Sequence, residues 1–232
     1  PTRRSSDLRW PSSVRSATRN LIGPWLLVCK VKRPSFFKIL TGKYVTIAER
    51  MLRDVVDVLD SQEIPYVLEG GTLLGIVREK RLLPWDTDMD ITVTREHAEK
   101  LISSRWRLWL KGYRTRIRYH KQDTEHFKKG SPRLLIVQTR KFFVVKDFGL
   151  MDIFIKDTID EKVFWMVSEK KRVLKSTRKE YYQNTTKVEF QGKHYSVPAA
   201  YDEYLTSRYG DWRTPVKDYD YTKDDLSILN KK

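Results

Sequence analysis

The sequence predicts an α+β fold built on a mixed β-sheet, and three observations carry that reading. Apolar residues recur at three-to-four spacing from Ile47 to Leu59, as on the buried face of a helix. Short runs such as Met89–Val93 and Leu150–Ile155 read instead as strands. Helical and strand-like stretches interleave along the 232 residues without an internal repeat.

Taken in order, residues 1–43 read as a basic N-terminal extension, rich in Pro, Ser and Arg and without a lasting period. Within it, Trp25, Leu26, Leu27 and Val28 precede Lys30, Lys32, Arg33, Phe36, Phe37 and Lys38. Such a basic-aromatic segment suits an anionic membrane surface or a cap on the core. The catalytic core is expected over 44–160. Thr46-Ile47-Ala48-Glu49 has the form of a capping box, so a helix is expected to start there. Ile47, Met51, Val55, Val58 and Leu59 form its apolar face, and Pro65 stops it. Tyr66–Leu68 reads as a short buried strand running into Gly70-Gly71, followed by a short helix at Thr72–Arg78 and a charged turn at Arg78–Arg81. Met89–Val93 alternates as a strand, and one helix is expected over about Arg95–Trp109 with Thr94 as its cap.

Further strands are expected at Tyr113–Tyr119, Arg133–Gln138, Lys141–Lys146, Leu150–Ile155 and Lys162–Val167. The remainder, 161–232, reads as a small C-terminal α/β part. In it Val188–Phe190 and His194–Val197 flank the turn Gln191-Gly192-Lys193, and a last helix over Ala199–Arg208 ends near Gly210.

Composition narrows the function. Apolar residues make up 40 % and aromatics 12 %, ample for a core. A single cysteine, Cys29, excludes a disulfide framework and a cysteine-rich zinc module. The four histidines lack paired metal-ligand spacing, and His120 and His126 read as loop-borne surface side chains. The net charge of +16 is uneven: residues 1–50 hold 11 basic and 2 acidic side chains, and residues 103–148 hold 13 and 3. Residues 51–102, by contrast, hold 11 acidic and 6 basic. The basic parts suit a polyanion, and the acidic island suggests carboxylates gathered for a purpose. The longest apolar stretch, Leu21–Val31, is interrupted by Gly23-Pro24 and is too short to span a bilayer. The expected compartment is the cytoplasm, peripheral to the inner membrane face.

The acidic island centres on Asp86-Thr87-Asp88-Met89-Asp90. Residues two apart on a strand point the same way, so Asp88 and Asp90 aim at one spot, with Asp86 joining if the strand extends that far. Like charges stacked this way call for a hard divalent cation with oxygen ligands, Mg²⁺ or Mn²⁺. Upstream, Glu69-Gly70-Gly71-Thr72 lies at a strand-to-helix junction, where glycines let the backbone approach a ligand and helix-start N–H groups hold phosphate. Downstream, Asp152 interrupts the apolar run Leu150–Ile155 and completes a three-carboxylate set if the two strands are neighbours. Strand, Gly-Gly, helix, Asp-x-Asp strand and a third Asp on a later strand make up the plan of the nucleotidyltransferase fold.

The stretch from Glu69 to Ile91, EGGTLLGIVREKRLLPWDTDMDI, resembles the signature of the LicD family, whose relatives include bacterial phosphocholine transferases and the fukutin-related proteins. Gly71–Gly75, Arg78, Pro84-Trp85 and Asp86, Asp88 and Asp90 carry the resemblance, with Leu150–Ile155 and Tyr209–Pro215 further along. It extends over residues 44–217. Thr87 replaces the middle aspartate of the commonest version, with its side chain expected to point away from the metal. The resemblance implies a metal-dependent phosphotransferase that moves phosphocholine or an alditol phosphate from a CDP-linked donor to a glycan hydroxyl, releasing CMP. It implies Asp88, Asp90 and Asp152 as metal ligands, and Asp86 and Asp152 as further catalytic groups. Gly70, Gly71, Thr72 and Arg78 would contact donor phosphate. Cell-surface or lipid-linked glycans such as lipopolysaccharide or capsule would be acceptors, and no nucleic acid is expected as a partner. Two other readings remain open. A template-independent nucleotidyltransferase acting on RNA or protein would release pyrophosphate from a nucleoside triphosphate. A non-catalytic glycan- or membrane-binding module would have no use for the three carboxylates.

Overall fold

The computed structural model of the chain describes residues 40–141, 145–168, 171–216 and 218–229. The basic-aromatic segment from Trp25 to Lys38 lies outside the described residues. Helix α1 (Lys43–Ser61) buries Ala48, Met51, Leu52, Val55, Val56, Val58 and Leu59. It starts before Thr46, with Gly42 at its N-cap and no side-chain cap, so the expected capping box does not form. Val45 and Ile47 pack on the core, and this packing extends the helix by a turn past the local signal.

Strand β1 (Val67–Glu69) leads straight into α2 (Gly70–Glu79), which begins two residues earlier than expected. Strand β2 (Met89–Thr94) follows. The single helix expected after it is instead a 3₁₀ turn (Arg95–His97) and two short helices, α3 (Ala98–Ser103) and α4 (Arg105–Leu110). The break falls at Ser104, whose hydroxyl donates back to the Lys100 carbonyl at 2.7 Å, a bond that bends helices. Thr94 does not cap; its hydroxyl donates to the Glu96 carboxylate.

Then come β3 (Tyr113–Tyr119), β4 (Pro132–Lys141), the long β5 (Val145–Ile159) and β6 (Lys162–Val167). Lys141–Lys146 is not a strand of its own: β4 ends at Lys141 and β5 begins at Val145. Strand β7 (Val173–Arg178) and the short α5 (Glu180–Gln183) were not expected. The side chain that β7 buries is a lysine, Lys175, so apolar alternation gives no signal there. Strands β8 (Thr185–Phe190) and β9 (Lys193–Pro198) form the expected hairpin, with positive φ at Gln191 and Gly192. Helix α6 (Tyr201–Tyr209) ends at Gly210.

The main sheet has the order β1-β2-β5-β4-β3, and β6 and β7 extend it from the far end of β5. Within it β2 and β5 run parallel and the other pairs antiparallel, which makes the sheet mixed. Met89, Ile91, Val93, Met151, Ile153, Ile155, Leu135 and Val137 are all buried and belong to one core with α1. Strand alternation therefore sends Asp90 and Asp152 to the opposite face. His120 is buried and stacked on Phe127 with ring centroids 4.3 Å apart, so the surface reading does not hold for it. Burial pushes its pKa down to about 4; the Asp157 charge opposes this, and the Arg133 and Arg95 charges add to it.

Candidate active site

Strand register assembles the site. Glu69 on β1 pairs with Asp90 on β2, and Asp90 pairs with Asp152 on β5. The row continues through Ile136 on β4 to Arg116 on β3. Adjacent strands lie about 4.8 Å apart, so Asp90 and Asp152 are neighbouring rungs on one face. Asp88 immediately precedes β2. Asp86 sits before the strand rather than in it, in a turn where its main-chain N–H donates to the Leu83 carbonyl at 3.0 Å. Its carbonyl accepts the Leu40 N–H at 2.9 Å, and its carboxylate accepts the Thr87 N–H at 2.9 Å.

The glycine pair has a steric reason. Gly70 has φ +54, and a Cβ there would collide with Oδ2 of Asp90. A Cβ on Gly71 would collide with Oδ2 of Asp86. The pair thus lets two carboxylates lie directly against the first turn of α2. Thr72 is buried, and its hydroxyl accepts the Asp90 N–H at 2.8 Å, which ties α2 to β2. Thr87, expected to turn away, donates its hydroxyl to Asp88 at 3.1 Å and so orients that carboxylate. Arg78 gives its guanidinium to the Trp212 carbonyl at 3.0 Å and to Glu79 at 2.9 Å, joining α2 to the loop after α6.

Electrostatics mark the cluster as strained in charge. Burial, then the charges of Asp88, Asp86 and Asp152, hold the Asp90 pKa well above the ordinary carboxylate range. Burial and the Asp88 charge push Asp152 up to about 7, while Arg118 and Arg133 pull the other way. Among the described residues, no group of three or more His, Cys, Asp or Glu side chains is already drawn together as a metal-binding cluster. The donor set nevertheless fits a hard cation: it offers oxygen ligands only, and a divalent charge would relieve the repulsion that raises Asp90 and Asp152.

Glu69, passed over in the sequence, is the best-buttressed carboxylate beside the site. It is 2 % exposed, yet its Oε1 accepts from Lys156 at 2.6 Å, Tyr182 at 2.7 Å and Thr92 at 2.9 Å. Its Oε2 accepts from Arg208 at 2.8 Å and from Tyr204. Burial alone would raise its pKa; the Lys156 and Arg208 charges outweigh burial and hold it at about 2. Asp225 continues the network by pairing with both Arg208 and Lys175. Lys156 offered a usable signal: it interrupts the same apolar strand as Asp152, four residues on and on the same face.

The LicD/FKTN/FKRP nucleotidyltransferase domain matches residues 63–200, a span that holds all four aspartates and Glu69. The lipopolysaccharide cholinephosphotransferase LicD of Haemophilus influenzae is 40 % identical over 40 residues, 17 % of this chain and 15 % of that protein. The human ribitol 5-phosphate transferase FKRP is 46 % identical over 44 residues, 19 % of this chain and 9 % of that protein. An uncharacterized protein of Rickettsia prowazekii is 35 % identical over 66 residues, 27 % and 25 % of the two chains. The matched stretches thus span a quarter or less of these relatives. A crystal structure of ANT(2")-Ia in complex with adenylyl-2"-tobramycin aligns with TM-score 0.38 and 14 % identity over 71 % of this chain and 77 % of that one, too loose a likeness to carry an argument.

Proposed function

Since the chain belongs to the LicD/FKTN/FKRP nucleotidyltransferase family, we propose that it is a divalent-metal-dependent phosphotransferase. It moves a phospho-head group, phosphocholine or an alditol phosphate, from a CDP-linked donor to a glycan hydroxyl and releases CMP. The names of the relatives, a cholinephosphotransferase and a ribitol 5-phosphate transferase, support the head-group class. One observation carries the reading: Asp90 and Asp152 pair in register on one sheet face, against a glycine pair that opens the start of α2 to carboxylates.

Asp88, Asp90 and Asp152 would hold Mg²⁺ or Mn²⁺, which when bound supplies positive charge against the donor pyrophosphate. The main chain of Gly70, Gly71 and Thr72 binds donor phosphate, because the first N–H groups of a helix have no partner within it. Arg78, expected to contact donor phosphate, lies at the far end of α2 with its guanidinium held by Glu79 and the Trp212 carbonyl, and its part is to fix α2 on the loop after α6. Asp86 orients its neighbours or an acceptor hydroxyl. An oxygen of the glycan forms the new P–O bond, the bond to the CMP oxygen breaks, and the electron pair leaves with CMP. Asp152 is the group that accepts the hydroxyl proton. Positioning and charge compensation are the main demands of such a transfer. The acceptor is a cell-surface glycan precursor at the inner membrane face, and the basic segment of residues 1–50 adds to attachment there without being its sole anchor. No helix among the described residues is long and apolar enough to cross a membrane.

The test is incubation with Mg²⁺ and CDP-choline, CDP-ribitol or CDP-glycerol, with CMP measured. Release from one donor is expected, abolished by chelator and in each of Asp88→Asn, Asp90→Asn and Asp152→Asn. Full turnover in the Asp90→Asn protein, or release of pyrophosphate from nucleoside triphosphates in place of CMP, would overturn the reading.

A further inference from the structure

Beyond Arg116 the sheet ends in a surface that the proposed chemistry does not use. Helix α4 leaves Trp106 55 %, Trp109 51 % and Leu110 64 % exposed, at positions that share one helical face. With Arg105, Arg114 and Arg140, the two tryptophans line an open cavity of about 450 Å³. The Arg107 guanidinium lies 4.6 Å over the Trp106 ring, and that of Arg140 lies 4.5 Å over the Trp109 ring. Residues 103–118 carry six basic side chains and no acidic one. Lys111 turns to Asp54 at 3.2 Å, whereas Arg105 spends its Nε on the Thr115 hydroxyl rather than on a carboxylate.

We propose that this edge docks on an anionic phospholipid bilayer. Trp106, Trp109 and Leu110 enter the headgroup layer, and Arg105, Arg107 and Arg114 meet lipid phosphates. Tryptophan favours the membrane–water interface, and arginine binds phosphate through paired N–H groups while resting on an aromatic face. A soluble sugar would also meet tryptophan and arginine. Leu110, however, is the most exposed of the three apolar side chains and offers nothing to a hydroxyl. Positive charge spread along α4 and β3 matches a charged plane better than a single anionic group. The location adds to this: Arg116 shares its row with Asp152 two strands away, roughly 10 Å. A lipid-anchored acceptor arriving over this edge would pass along arginines to the carboxylates. Only that last step rests on the proposed transfer, and vesicle binding tests the docking without it.

The experiment is co-sedimentation of the full chain with vesicles of phosphatidylglycerol and phosphatidylcholine, against phosphatidylcholine alone, at low and high salt. Binding to the anionic vesicles that weakens with salt is expected. Trp106→Ser, Trp109→Ser and Leu110→Ser together should lower partitioning about tenfold. Arg105→Gln with Arg114→Gln should lower it about fivefold per charge. Circular dichroism of both variants should show the native fold; the three apolar side chains are more than half exposed, and losing the Arg105 bond to Thr115 should lower the urea midpoint only slightly. A full chain carrying Trp25→Ser, Phe36→Ser and Phe37→Ser should still bind. The proposal is overturned if the wild type ignores anionic vesicles, if the α4 variant binds as well as wild type, or if the N-terminal variant alone abolishes binding. Tryptophan fluorescence that responds to glucose 6-phosphate in a protein indifferent to vesicles would overturn it too, and assign the groove to a sugar phosphate.

Discussion

Gly71 and Glu69 show how single residues set this site. A side chain at Gly71 meets the mobile end of Asp86 rather than backbone, so Gly71→Ala should fold with a urea midpoint shifted by less than about 1 kcal/mol. Displacing Asp86 by an ångström or more should lower CMP release roughly a hundredfold. Normal turnover in a folded Gly71→Ala protein would reduce the glycine to a turn former. Glu69 gives the pH prediction. Its pKa drops from 4.5 to about 2 on folding, so its stabilisation is complete above pH 4.5 and is lost as pH falls toward 2. Urea unfolding followed by tryptophan fluorescence should show that acid limb. Glu69→Gln should flatten it and cost about 3 kcal/mol at neutral pH, because Lys156 is left buried without its carboxylate, whereas Arg208 keeps Asp225. The placing of Asp90 and Asp152 on one sheet face was legible, Asp90 from its spacing of two from Asp88 beside Met89 and Ile91, and Asp152 from its break in an apolar run. Glu69 was not, because the glycines beside it already explained its neighbourhood and its partners Lys156, Tyr182 and Arg208 lie 87 to 139 positions away.

Among the elements, β2 and β5 decide whether the carboxylates meet. Arg95, just past β2, donates to both oxygens of Asp157 on β5 at 2.7 Å, fixing the parallel register five residues beyond Asp90 and Asp152. Arg95→Ala should cost about 2 kcal/mol by urea unfolding and loosen the site with it. An unchanged midpoint would mean that apolar packing alone holds the register. Strand β2 could be read because Met89, Ile91 and Val93 alternate with polar residues, and β5 because Leu150–Ile155 is an apolar run broken only by Asp152. The break at Ser104 could not, since a serine hydroxyl bends a helix only when it turns inward to the Lys100 carbonyl. Strand β7 was invisible because Lys175 is its buried residue and finds its partner, Asp225, fifty positions on.

At the scale of the whole molecule, the raised Asp90 and Asp152 pKa values mean that the protein stores charge repulsion which a bound cation would release. Mg²⁺ or Mn²⁺ at about a hundred times its dissociation constant should therefore stabilise the fold by roughly 3 kcal/mol. The rise in melting temperature should vanish in Asp90→Asn, and an equal rise in that variant would place the ion elsewhere. Tyr182, Tyr204 and Arg208, from the part beyond residue 160, hold Glu69, so that part buttresses the candidate site.

The parallel β2–β5 pairing also has a consequence in time. Asp90 and Asp152 lie sixty-two residues apart, and no hairpin can bring them together. Local pieces such as α1 and the β8–β9 hairpin close short loops and form early, whereas this pair must await the intervening α3–β4 segment. During refolding, helical signal should therefore return first, and the ability to release CMP should lag until the last strand exchange is made. A chain halted before that step would expose the apolar edges of β2 and β5 to other chains, so the price of a site assembled from distant strands is a brief window of aggregation on every passage to the native state.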